Sequence, residues 1–210
     1  MFTRIDVPFK IRAMGYAFYF PILPLLAFMY YWLNGESEFS FQLLKQMEFL
    51  IAPFSVWWIA FLFYDYYEEK GDELLFSYPL KAREHGLLTL VVFGGFYLAL
   101  ILLCSILLSL RISNSNMLLL FLQFGSQTVL YIGIAFSLVI ISKKVMIPLL
   151  FVGVYVSTEF LTEGSILPFH IMLFNQQSLA FNEIKINVLG NLLFGSVLLT
   201  MGHLILKRKL

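Results

Sequence analysis

At 210 residues, 60% apolar and 13% charged, with mean hydropathy +0.85 and net charge +1, the chain carries about half the charge of an ordinary soluble domain. That excludes a water-dissolved globule, and the absence of a clustered basic surface excludes nucleic-acid binding. The composition is that of an all-α polytopic membrane protein, read as a single transmembrane domain over residues 1–210.

The opening residues, MFTRIDVPFKIR, place Phe2, Ile5 and Phe9 at spacings that can share a helical face, with Arg4 and Arg12 available to headgroups. Pro8 argues against one uninterrupted helix, so a short interfacial segment bending into the membrane is expected; a disordered basic tail is the competing reading. A removable signal peptide is not expected, because the first apolar run is long, carries Pro21 and Pro24, and lacks a small-residue cleavage site. Six stretches approach the roughly 20 apolar residues needed to cross a bilayer core: 14–33, 49–66, 86–110, 117–141, 145–161 and 186–206. The fifth is the shortest.

An inward N-terminus puts Arg4, Lys10, Arg12, Lys70, Lys81, Arg83, Lys143, Lys144, Lys207, Arg208 and Lys209 on the cytoplasmic side, and leaves only Lys45, Arg111 and Lys185 outside. Eleven of the 14 basic residues then lie inside, so both termini are expected to be cytoplasmic. Tyr30, Tyr31 and Trp32 close the first span, and Tyr64, Tyr66 and Tyr67 the second, as headgroup anchors. Trp57 and Trp58 lie deeper, and each indole N–H needs a partner helix or the interface. The single cysteine, Cys104, sits in an apolar run and reads as a small hydrophobe.

Between the second and third spans the pattern breaks. Residues 65–85, DYYEEKGDELLFSYPLKAREH, hold nine Asp, Glu, Lys and Arg side chains. Gly71 permits a turn; Asp72 and Glu73 suit the start of a short amphipathic helix continued by Leu74, Leu75 and Phe76. Pro79 fits the first turn of the next helix, whose cytoplasmic root is LKAREH.

This run resembles the cytoplasmic signature of type 2 ABC transporter permeases, carried here by Glu69, Lys70, Gly71, Glu73, Leu74, Leu75, Ser77, Pro79, Arg83 and Glu84; Asp72 stands where a threonine is common, and Tyr78 where a small residue or threonine is frequent. The motif covers about a tenth of the chain, while the six spans, inward termini and loop position agree over its whole length. The resemblance implies a membrane-spanning permease subunit of an ATP-driven exporter in a bacterial cell membrane. Its coupling helix would dock on a separate ABC-type ATPase through Glu69, Gly71, Asp72, Glu73, Leu74, Leu75, Ser77, Pro79, Lys81, Arg83 and Glu84. It also implies a second permease subunit, identical or related. ATP and Mg would be bound by the partner, since the chain lacks a Walker-type loop, and no cofactor or metal is expected on the chain itself. The competing reading is a charged topological loop without a partner.

RISNSN, residues 111–116, makes a tight outer turn, and Ser142, Lys143 and Lys144 an inner one. The connection 162–185 is too apolar for an aqueous loop. A re-entrant segment explains it if its irregular backbone is buried in protein, as the resemblance also implies; a surface-lying amphipathic hairpin is the alternative. Gln123, Gln127 and Tyr131 share a face of the fourth span, and Asn187 and Asn191 a face of the sixth. They are candidates to line a pathway, with interhelical hydrogen bonding equally in view. Glu159 is a candidate outer gate or ion-pair residue. His85, His170 and His203 show no metal-ligand spacing.

The rival class is an intramembrane enzyme of the CAAX-processing protease type, suggested by Glu68 and Glu69. Asp72 stands where that motif needs arginine, and the later histidine motifs are missing. A noncatalytic membrane scaffold or immunity protein is the third reading.

Overall fold

The computed structural model describes residues 7–34, 40–68, 86–112, 115–166, 170–173 and 180–209, and over these the chain is helical, with no strand. The predicted first span is a bent pair. Helix α1 (Val7–Met14) runs through a 3-10 turn (Gly15–Tyr19) into α2 (Ile22–Asn34), with a bend of 54°. Pro8 lies in the first turn of α1, where a missing N–H costs nothing. The break comes instead at Pro21, and it opens backbone carbonyls that Trp57 and Trp58 fill from the next segment: Trp57 Nε1 donates to Ala17 O at 2.9 Å and Trp58 Nε1 to Phe18 O at 2.8 Å. Their rings stack on Phe20 and Phe18, with centroids 4.8 and 5.1 Å apart.

The second predicted span, 49–66, is an irregular helical run. It begins earlier, as α3 (Ser40–Gln46), passes through a π-helical turn (Met47–Ile51), and continues after Pro53 as α4 (Ser55–Phe61) and α5 (Tyr64–Tyr67). The wide turn is closed by Ala52 N donating to Met47 O at 2.9 Å. Tyr97 Oη donates to Ile51 O at 2.6 Å, satisfying a carbonyl where the ladder changes pitch at Pro53.

Three long helices follow the predicted spans: α6 (Leu88–Arg111), α7 (Met117–Ser142) and, starting five residues before the expected 186, α9 (Phe181–Lys209). Among the described residues these are the three helices long and apolar enough to cross a membrane, or four if the bent pair is one span. Helix α8 (Met146–Thr162), the shortest expected span, has 17 residues. Caps explain the boundaries. Asn116 Oδ1 accepts from Leu118 N at 2.9 Å at the start of α7, and Lys143 ends it in the left-handed conformation, φ 55°. Glu183 reaches back to Ala180 N at 2.8 Å at the start of α9.

Helix α7 is the hub, packing on α4, α6, α8 and α9. Its contact with α9 is the closest in kind. A methyl group added at Gly133 would meet Gly195 O at 2.7 Å, so the two backbones touch, and Ser137 Oγ bonds Leu198 O across the same seam at 2.7 Å. At the far end of α6, Trp32 Nε1 donates to Leu107 O at 2.9 Å, and Arg111 to Trp32 O at 2.7 Å. These bonds pin α2 to α6.

Candidate functional site: a buried strap held by side chains

Residues 170–173 run through the interior rather than over the surface. Ile171 and Met172 are buried, and their non-helical backbone must find partners among side chains. Asn187 Nδ2 of α9 donates to His170 O at 3.3 Å, while Tyr155 Oη of α8 accepts from Ile171 N at 3.0 Å. Gln127 Nε2 of α7 and Asn191 Nδ2 of α9 donate to Ile171 O at 3.1 and 3.4 Å. Glu48, in the π-helical turn, accepts from Leu173 N, and its Oε1 also takes Gln127 Nε2 at 3.2 Å. Side chains from four helical elements thus clasp one short strap.

The strap's own side chain completes the arrangement. His170 Nδ1 lies 3.2 Å from Glu159 Oε2, with the histidine side chain 39% exposed and the carboxylate fully buried. Deeper polar atoms remain over. Gln123 Nε2, Gln127 Oε1, Tyr131 Oη and Asn191 Oδ1 are buried and have no hydrogen-bond partner among the described residues. Residues 123, 127 and 131 stand one turn apart, so α7 presents a ladder of polar groups facing the protein interior.

Of the pathway candidates, Gln127, Asn187 and Asn191 meet at the strap. Tyr131 and Gln123 lie on the same helix face without touching it through a hydrogen bond among the described residues. Glu159 is at the strap, its carboxylate 3.2 Å from His170 Nδ1. The docking set Glu69, Gly71, Asp72, Glu73, Leu74, Leu75, Ser77, Pro79, Lys81, Arg83 and Glu84 lies outside the described residues. Just before it, Glu68 Oε1 accepts from Val145 N at 3.3 Å, in the turn between α7 and α8.

Glu48 and Tyr155 are the members that sequence reasoning missed. Glu48 stood one residue ahead of the expected second span, 49–66, and so outside it. The available signal was the spacing of Leu43, Leu44, Met47 and Ile51, which carries one apolar helical face back past Glu48 and buries its carboxylate with them. Tyr155 stands four residues before Glu159, on the same helix face, and that spacing was the signal that could have found it. Among the described residues no three His, Cys, Asp or Glu side chains gather as a metal site requires. No family model, curated protein or solved structure matches the chain.

Proposed function

We propose that this chain is the membrane-spanning subunit of an ATP-driven exporter, energised by a separate nucleotide-binding subunit that docks on residues 65–85. In this reading the bent pair, the irregular run from α3 to α5, and helices α6 to α9 make six crossings, with both termini on the cytoplasmic side of a bacterial cell membrane. The strap 170–173 is a re-entrant element closing the outer end of a path lined by Gln123, Gln127, Tyr131, Asn187 and Asn191. A second permease subunit supplies the opposite wall.

The observation that carries this reading is the bond from Glu68 to Val145 N. It ties the root of the charged segment to the turn that starts α8. Helix α8 is about 25 Å long at 1.5 Å per residue, and beyond its middle it bears Tyr155 and then Glu159, both on the strap. A displacement of the loop by a closing ATPase pair is thereby passed along one rigid element to the strap, and alternating access becomes a shift between strap-in and strap-out populations.

The test begins with the native membrane. Cysteines placed at Glu73, Leu75 or Lys81 in a Cys104→Ser background are expected to crosslink to an ATPase that copurifies with the chain, and Glu73→Lys is expected to abolish stimulated ATP hydrolysis while leaving membrane insertion intact. If no nucleotide-binding subunit is captured by any of the three positions, the transport reading fails. Loss of insertion in Glu73→Lys would instead give the segment a folding role.

A further inference from the structure

A carboxyl group enclosed within a bundle of this kind is costly to ionise, and such acids mark ion or proton routes. Glu48 is 1% exposed. Its Oε1 accepts from the Leu173 amide and from Gln127 Nε2. Both are N–H donors, and Gln127 turns its nitrogen rather than its oxygen toward the carboxyl. Those surroundings suit an anion that takes up a proton, where a metal ion would need oxygens converging on it.

The charged and titratable groups near Glu48 come from every side. Tyr131 of α7, Tyr155 and Glu159 of α8 and His170 of the strap lie toward the outer connection. Tyr97 of α6 bonds Ile51 O in the same π-helical turn, and Lys45 of α3 holds its ammonium 4.5 Å from the Phe41 ring. Glu48 and Glu159 both act electrostatically on Tyr131 and on Tyr155, so the two acids share one neighbourhood. Its exposed edge is His170, whose ring contacts Glu159. The Tyr131 hydroxyl, buried and without a hydrogen-bond partner among the described residues, lies between helix faces in that neighbourhood.

We propose that Glu48 is a proton-binding site whose occupancy controls the strap: the proton it takes up removes the charge that holds the Leu173 amide. Ionised, Glu48 makes a charge-assisted bond to Leu173 N; protonated, it makes a neutral and weaker one. The effect is reciprocal. When the strap leaves, the carboxylate loses a donor, which favours proton uptake, so proton binding and strap release reinforce one another. This goes beyond the transport reading and needs no ATPase.

The test therefore uses the full chain alone in nanodiscs. Met172, 1% exposed in the strap, is replaced by cysteine in a Cys104→Ser background, and its rate of modification by a water-soluble maleimide is divided by that of exposed Ser165→Cys. The ratio removes the thiol's own pH dependence. Lowering the pH from about 8 to about 5 is expected to raise the ratio about tenfold, the gap between a charge-assisted and a neutral hydrogen bond. Glu48→Gln, added to both reporters, is expected to give a high ratio at every pH. A flat ratio with Glu48 intact overturns the proposal. So does an unchanged pH response in Glu48→Gln, which would move the titration to His170 or Glu159. If Glu48→Gln does not accumulate, Glu48→Asp serves: its shorter reach to Leu173 is expected to raise the ratio throughout while keeping a pH response, and a profile identical to the parent's refutes the assignment. Failure to find an ATPase would leave all these outcomes readable.

Discussion

Where α7 crosses α9, one methyl group measures how tightly the bundle is built. In Gly133→Ala the new Cβ falls 2.7 Å from Gly195 O and 3.2 Å from Gly195 Cα, both backbone atoms that cannot rotate away. Ordinary contact begins at 3.4 Å, so the helices must part by about 0.7 Å at that level. The same movement stretches the Ser137 Oγ to Leu198 O bond from 2.7 Å to the edge of hydrogen-bonding range. Overpacking of this kind costs about 1–3 kcal/mol, set against a gain of about 0.5–1 kcal/mol from replacing a helical glycine by alanine. The control is Gly153→Ala on α8, where an added Cβ meets nothing within 4 Å and only the gain applies. Stability is read by thermal unfolding in detergent, with a dye that fluoresces on reacting with the buried thiol of Cys104. Gly133→Ala is expected to melt below wild type and Gly153→Ala at or above it. Equal melting of Gly133→Ala and wild type would show that the seam is loose and the reasoning wrong.

Three further outcomes are expected in the same assay. Trp58→Phe keeps much of the stacking on Phe18 but strands the Phe18 carbonyl in a low-dielectric site, and should cost about 1–3 kcal/mol. Gln127→Leu should destabilise more than Asn191→Leu, because Gln127 serves both Glu48 and Ile171 O while Asn191 shares Ile171 O with it; the double variant should be non-additive by about 0.5 kcal/mol or more. Asn116→Ala should lose about 1 kcal/mol through the missing cap on α7, checked further by faster amide exchange at Leu118.

The long helices were legible because hydropathy and length alone define them: α6 and α7 lie within two residues of the expected 86–110 and 117–141. The interruptions were harder to place. Pro8 looked like a breaker and is accommodated in a first turn, whereas Pro21 bends the chain because its neighbours continue as helix on both sides. The π-helical turn at Met47–Ile51 has no residue pattern of its own; it reflects Pro53 downstream and the bonding of Tyr97 from another helix. At the strap, the amides of Gln127, Asn187 and Asn191 were visible as polar groups at helical spacing. What they hold was not, because their acceptors are backbone atoms of a segment that only tertiary structure brings inside.

The indole bonds to Ala17 and Phe18 also bear on how the chain is made. Ala17 and Phe18 emerge from the ribosome 40 positions ahead of Trp57 and Trp58 respectively, and until those rings arrive the Ala17 and Phe18 carbonyls lack the indole donors, Ala17 O keeping the bond from Phe20 N at 3.4 Å. Hydrocarbon offers them none. The amino-terminal pair therefore gains its indole bonds only when the following segment is beside it, and the two segments are expected to mature as one unit during biosynthesis. A truncation ending before residue 57 should leave the bend accessible to water or to the insertion machinery, and one ending after residue 68 should close it.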